Sequence, residues 1–239
     1  MKTTQPLLLS LALVLCACSI VLAQGSRDRS TKKMVAAAEQ SSHAARVFNE
    51  IMGTRDKSIP QDLLDKAEAV AVFPGVIKGG FIVGGRGGSG VISRRVTGGW
   101  SAPAFFDLGG GSIGLQIGLA QTDYILLFMN EGAVDSLLSD KFEIGGEGSA
   151  AAGPVGRSAS ASTDARLNAQ ILSYSRSKGA FAGLELKGVV IKPDNENNNQ
   201  VYGMTAKDIL TGGNKISMEA MPEGVRVFPQ TLTKYSTRK

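Results

Sequence analysis

The chain has 239 residues, 43% of them hydrophobic, with 26 basic and 21 acidic side chains, one histidine and two cysteines. That length suits one sizeable domain with a small appendage, and the mild basic excess contains no charge block of the kind that grips nucleic acid. Both cysteines, Cys16 and Cys18, lie in an apolar N-terminal segment, so a chain without that segment has no thiol, which excludes disulfides, thiolate metal centres and cysteine catalysis.

Residues 1–23 read as an export signal: Lys2, then an uncharged apolar run from Leu7 to Ala23. Val21-Leu22-Ala23 fits cleavage before Gln24. Leu15-Cys16-Ala17-Cys18 also resembles a lipobox with Cys18 as the lipidated residue, and a retained membrane anchor is the third reading. Each sends the protein out of the cytoplasm, to the periplasm or the envelope surface. Loss of Lys2 with the signal leaves 25 basic against 21 acidic residues, a formal charge of +4 that suits an anionic surface.

Residues 24–31 form a polar lead-in. From 32 to 52 apolar and small residues recur at three- and four-residue steps (Met34, Ala37, Ala38, Ser41, Ala44, Ala45, Phe48, Ile51), which predicts a helix ended by Gly53. Ser58-Ile59-Pro60-Gln61 predicts a second, Ser-capped helix carrying Leu63, Leu64 and Ala67. Then the period becomes strand-like. Strands are expected at 70–73, stopped by Pro74-Gly75, and at 81–83, 90–97, 100–106, 112–119 and 124–129. Asn130 should cap a helix through Leu138. Strands follow at 142–144, within 148–156, and as a hairpin of 171–175 and 181–191 turning at Gly179. "NENNNQ" (195–200) reads as a polar turn, 205–210 as a short helix, and 211–239 as a loosely ordered tail with a strand at 225–228. The fold class is α+β: N-terminal helices packed on a strongly bent, glycine-rich antiparallel sheet or barrel-like sheet. The domain proper spans 32–210.

The motifs that could carry chemistry fail their context. Gly85-Arg86-Gly87-Gly88-Ser89-Gly90 matches G-x-G-x-x-G, but a β-like segment follows where a pyrophosphate loop needs a helix N-terminus. The glycines read instead as a tight hairpin. Gly110-Gly111-Ser112-Ile113-Gly114 matches G-x-S-x-G, but the one histidine, His43, lies upstream of the serine. Asp194 to Asn198 alternates oxygen donors as a calcium loop does, yet Asn199 and Thr205 stand where the loop needs glycine and an acid. No residue set specifies a reaction, a metal or a cofactor. What remains is basic surface at glycine-rich turns: Lys78, Arg86, Arg94, Arg95, Arg157, Arg176 and Lys178. Arginine forks beside backbone amides of glycine turns bind phosphate well. Lys32, Lys33 and Arg46 lie on the first helix.

The strings "IPQDLLDKAEAVAVFPGVIKGGFIVGGRGGSGVI", "WSAPAFFDLGGGSIGLQIG", "TDYILLFMN", "AAAGPVGR" and "ILSYSRSKGAFAGLELKG" occur here in one order, and together they resemble the SYLF family of lipid-binding domains over residues 32–210. The resemblance implies a non-enzymatic module. Eukaryotic relatives bind phosphoinositides, and fungal ones also bind and bundle actin and attach to endocytic regulators. Bacterial relatives are exported, often as lipoproteins. Animal relatives bind lipid through a lysine-rich amphipathic helix; the matching stretch here keeps Lys32, Lys33 and Arg46 but carries Glu39, Gln40, Ser41 and Ser42 in its middle. The expectation carried forward is contact with an anionic phospholipid surface, or, as the alternative, a scaffold that docks a protein partner.

Overall fold

A computed structural model describes residues 31–54, 58–139, 141–156, 169–177, 180–183, 186, 188–212 and 216–236. The signal segment, Cys18, the lead-in to residue 30, Arg157, Lys178 and Gly179 lie outside the described residues. In chain order the elements are α1 (31–52), α2 (Gln61–Lys66), β1 (Ala69–Val96), β2 (Gly99–Trp100), β3 (Ala104–Phe128), α3 (Glu131–Leu137), β4 (Phe142–Ile144), β5 (Ala150–Ala152), β6 (Ile171–Ser177), β7 (Ala180–Gly183), β8 (Val189–Pro193), α4 (Asn195–Tyr202), α5 (Ala206–Thr211) and α6 (Glu223–Tyr235).

The strands make an eight-stranded, nearly closed sheet in the order β2-β1-β3-β6-β5, with β7 on β6, and β8 joining β3 to β4. Every pairing is antiparallel except β5 with β6. The expected α+β class is therefore present, but its strands are fewer and far longer than the sequence suggested. The segments expected separately at 70–73, 81–83 and 90–97 are one strand of 28 residues, and 104–128 is its 25-residue partner. Pro74-Gly75 does not stop the first strand. It forms a bulge between the pairs Phe73↔Tyr124 and Val76↔Thr122. Gly75 takes φ +62°, and its N–H donates to the Asp123 carboxylate at 2.7 Å. Proline in a sheet survives at such a bulge because its missing N–H is not needed there.

A straight strand of that length would run ~90 Å, about twice the diameter of a domain this size. It folds back instead. The Arg95 N–H donates to the Glu68 carbonyl at 2.7 Å. A Cβ on Gly88 would lie 3.1 Å from Val76 Cα, and one on Gly90 2.4 Å from Phe73 Cδ1. The arm 88–95 thus lies against the arm 68–76, and the ribbon of β1 and β3 bends between them. The bend holds a register break: Gly80 faces Gly118 and Ile82 faces Gly114, so Phe81 opposes three residues of β3. This overturns the tight-hairpin reading of "GGRGGSG". Residues 84–90 are extended strand, with no positive φ among them. Gly88 and Gly90 are there for room, and none of these glycines supplies a turn dihedral; the turn lies at Gly98 (φ +84°) and Gly99 (φ +153°).

Both faces of the sheet are buried, which explains apolar runs without polar alternation. Ala69, Ala71, Phe73, Leu126 and Phe128 join Phe106, Phe142 and Val134 in one core. Val70, Val72, Ile125 and Leu127 join Phe48, Leu63, Trp100, Tyr174 and Phe228 in the other, under α1, α2 and α6.

Several sequence expectations change for identifiable reasons. The helix α2 starts at Gln61 with Pro60 at its N-cap and no side-chain cap from Ser58. Asn130 caps α3 through the Ala133 N–H, as expected. Residues 181–191 are two strands: β7 pairs with β6, while β8 leaves for β3 and β4. "NENNNQ" is not a turn. Asp194 caps α4, and Asn198, fully buried, accepts from the Phe105 N–H and donates to the Phe105 carbonyl. A lone asparagine thereby completes a strand's hydrogen bonds.

The tail is the largest correction. Residues 225–228 are helical, within α6, and Val225, Phe228 and Leu232 enter the core at helical spacing. Pro229 sits inside this helix and cannot donate to the Val225 carbonyl. Ser41 of α1 supplies the missing donor, its hydroxyl 2.6 Å from that oxygen. The polar interruption of α1 is thus a docking point for α6. Ser41→Ala should orphan a buried carbonyl and cost about 1–3 kcal/mol. Urea denaturation checks this, with Ser42→Ala, whose contact to the Gly224 carbonyl spans 3.5 Å, expected to cost less.

Candidate functional site

Sequence placed ten cations on a candidate anion-binding surface, and the fold divides them. Arg95 is built into the interior edge. It donates to the carbonyls of Ala67 and Leu64 and to the Ser236 hydroxyl, and its guanidinium stacks 4.1 Å over the Trp100 ring. It ties α2, the β1–β2 turn and the end of α6 together. Arg176 bridges Asp123 of β3, at 2.7 Å, and Glu50 of α1. Asp123 also holds the Gly75 bulge, so this trio fixes α1 to the sheet. Arg94 pairs with Glu131 at the start of α3. Lys33 pairs with Glu196 at 2.8 Å on the surface. An exposed pair of that kind contributes only about 0.2–1 kcal/mol, so an incoming anion displaces it easily.

Arg46 and Lys32 are exposed on α1. The buried face of α1, with Ala37, Ala44, Phe48 and Ile51, packs inside the protein. Its apolar stripe is committed to the core.

Lys78 and Arg86 are different. Both lie in the ribbon bend, half-buried, on the two arms of β1. Among the described residues neither has a carboxylate partner, and the Arg86 Nε is buried with no hydrogen-bond acceptor. Gly88 and Gly90, alternate residues of the same strand, share a face with Arg86, and there Val76 and Phe73 of the other arm close over them. Over residues 76–90 and 108–122 the sequence has no acid, and these two cations are its only charges. Asp107, just outside, is engaged by the Ser89 hydroxyl at 2.7 Å. Beside the bend stands Ile77, 57% exposed, one of two large apolar side chains open to solvent among the described residues; the other is Val35 on α1.

The motifs discounted in sequence take positions consistent with that reading. Gly85-Gly87-Gly90 opens no helix. Ser112 lies mid-strand opposite Gly84, not on a strand-to-helix elbow. His43 is exposed beside a shallow groove of about 300 Å³ lined by Ala36, Glu39, Gln40, Pro74 and Ser89. Tyr174 is fully buried, and burial, with the Asp62 carboxylate adding to it, pushes its phenol above the ordinary range. Among the described residues no three His, Cys, Asp or Glu side chains gather as metal ligands. Among them, too, no helix is long and apolar enough to cross a membrane. Sequence reasoning missed Ile77, because nothing in Val76-Ile77-Lys78 says which side chain faces out once a bulge has shifted the strand's phase. It also missed Glu50 and Asp123 as partners of Arg176, since neither is near it in the chain.

The fold and surface define a class: an α+β module with a coiled β-ribbon and a basic, largely apolar bend. The family described as Ysc84, Las17-binding protein actin regulator, matches residues 109–235. LAS seventeen-binding protein 3 of Saccharomyces cerevisiae is 39% identical over 170 residues, which is 69% of this chain and 37% of that protein. SH3 domain-containing YSC84-like protein 1 of Xenopus laevis is 36% identical over 162 residues, 66% of this chain and 48% of that protein. The mouse protein of the same name is 34% identical over 181 residues, 73% of this chain and 53% of that protein. The chain belongs to the Ysc84 family, the SYLF-domain proteins its motifs resemble. It spans between 37% and 53% of the length of these relatives. The family description is that of a binding regulator, not of an enzyme family. Its match runs to residue 235, which takes in α6.

Proposed function

We propose that this protein is a non-enzymatic module of the cell envelope that binds the anionic headgroups of phospholipids. One observation carries the reading: Lys78 and Arg86 stand without carboxylate partners, among the described residues, on a segment that otherwise lacks charge. A cation held half-buried without its counter-ion is favourable where an anion arrives from outside, and a phosphodiester accepts from a guanidinium in forked geometry. Exposed Arg46 and Lys32 on α1 add long-range attraction. The N-terminal segment supports export, with release before Gln24, tethering through Cys18 or a retained anchor as its outcomes. Intact mass of the envelope form decides between them.

Co-sedimentation tests the reading. Binding to vesicles of phosphatidylglycerol and phosphatidylcholine should rise with the phosphatidylglycerol fraction and fall with salt. Each basic residue near such a surface contributes roughly 1 kcal/mol, so Lys78→Gln with Arg86→Gln should weaken binding on the order of 30-fold. Equal binding to neutral vesicles would sink the proposal. The second reading is a scaffold that docks a protein partner, which the names of the relatives favour, Las17-binding and SH3 domain-containing. Indifference to lipid charge leaves that reading standing.

A further inference from the structure

The lipid reading says what the surface meets but not how the protein seats itself. The fold-back of β1 gives the ribbon bend an unusual makeup. On one side of the closure the arms 68–76 and 88–95 lie together, with 69–73 and 90–93 buried. On the other side residues 77–87 of β1, with 109–121 of β3, make the return. Residues 80–83 read Gly-Phe-Ile-Val and residues 112–119 read Ser-Ile-Gly-Leu-Gln-Ile-Gly-Leu; neither stretch has a charge. Lys78 and Arg86 bracket the first of them, one on each arm, and Ile77 is 57% exposed immediately before Lys78.

We infer, resting on the lipid reading above, that the ribbon bend is the membrane-entering element. It enters the interfacial layer of an anionic bilayer with Ile77 at its shoulder, while Lys78 and Arg86 form a collar at the phosphate level. Three physical points support this. An apolar, uncharged stretch between two cations matches the profile of an anionic leaflet, apolar below and negative at the headgroups. The pairing of β1 with β3 continues through the bend, so most backbone groups between the strands are satisfied before the bend leaves water. The outer edges of a two-stranded ribbon still carry polar backbone, which confines the bend to the interface and rules out a span across the hydrocarbon. Ile77 keeps more than half of its surface open to water, and a bilayer supplies an apolar covering for it. The helix α1 does not compete for the role through its apolar stripe, which packs against α6 and the sheet.

The test uses the full chain with Cys16→Ser and Cys18→Ser, which removes every native thiol. Ile77→Cys then takes an environment-sensitive fluorophore. With vesicles of equal parts phosphatidylglycerol and phosphatidylcholine, its emission should shift to the blue. Spin labels on the lipid acyl chains should quench it at least twofold, and aqueous iodide should lose access to it. The same label at Val35→Cys on α1 should stay open to iodide. Independently, Ile77→Asp, at an exposed position that leaves the fold intact by circular dichroism, should lower vesicle affinity at least tenfold, whereas Val35→Asp should leave it within twofold. A label at residue 77 that remains open to iodide while the protein still sediments with anionic vesicles overturns the insertion and leaves the headgroup reading in place. Loss of sedimentation with anionic vesicles by the unlabelled wild type overturns both.

Discussion

Gly90→Val is expected to cost the protein at least about 3 kcal/mol of stability, a large part of the 5–15 kcal/mol typical of a domain. A Cβ at this position lies 2.4 Å from Phe73 Cδ1 and 2.4 Å from the Val72 carbonyl oxygen. Phe73 and Val72 are themselves fully buried. A clash with the end of a flexible side chain is relieved by a rotation. A clash with a backbone carbonyl is relieved only by moving the strand. Here that means parting the two arms of β1, with the Arg95–Glu68 hydrogen bond and the bond from Gln40 to the Gly90 carbonyl at 2.9 Å. Overpacking in cores costs typically about 1–3 kcal/mol and more where the backbone must shift. The melting temperature should fall by roughly 6–12 °C or further. Gly85→Ala provides the contrast, since its Cβ would meet only the Gly110 carbonyl at an ordinary 3.9 Å, and it should melt within about 2 °C of wild type. A Gly90→Val protein as stable as wild type would show that the ribbon does not close on itself.

Asn198→Ala carries the second large effect, about 1–3 kcal/mol. The asparagine is fully buried and serves both backbone groups of Phe105, accepting from its N–H at 2.8 Å and donating to its carbonyl at 3.0 Å. Alanine leaves the Phe105 N–H unpaired in a dry interior, at about 1–3 kcal/mol, while the Phe105 carbonyl keeps the Asp194 N–H at 3.0 Å. Asn198→Asp does not rescue it, because the carboxylate has no hydrogen to offer the carbonyl and must be desolvated as well. Urea unfolding with unchanged slope and a lower midpoint is the expected record. If Asn198→Asp matched wild type, the donor half of the interaction would be refuted.

The two residues show how far each level of information reached. The helices α1, α3 and α5 were legible because their signals are local: small and apolar residues at three- and four-residue steps, the Asn130 side chain on the Ala133 N–H, and the capping box of Thr205 and Asp208. The glycine richness of the strand region marked a bent antiparallel sheet, but its meaning at residues 84–90 was misassigned. Glycine supplies either unusual dihedrals or empty space, and a sequence does not distinguish them. At Gly75 and Gly98 it supplies the dihedral; at Gly88 and Gly90 it supplies the space. The helix α6 was hidden by Pro229, which argues against a helix until a donor from α1 is seen to satisfy the Val225 carbonyl. Among the candidate site residues, charge was legible and pairing was not. Arg176 looks like a free turn cation until Asp123 and Glu50, remote in the chain, arrive beside it.

By its own composition and order the sequence determined a family, a class of fold and a mildly basic charge balance. Those properties are carried by residue identity and local spacing, which survive without knowledge of neighbours. Which cations keep their charge available was decided only in three dimensions. The long ribbon must coil to be buried, and coiling brings acids to Arg94 and Arg176 while it carries Lys78 and Arg86 to a bend where the sequence has none.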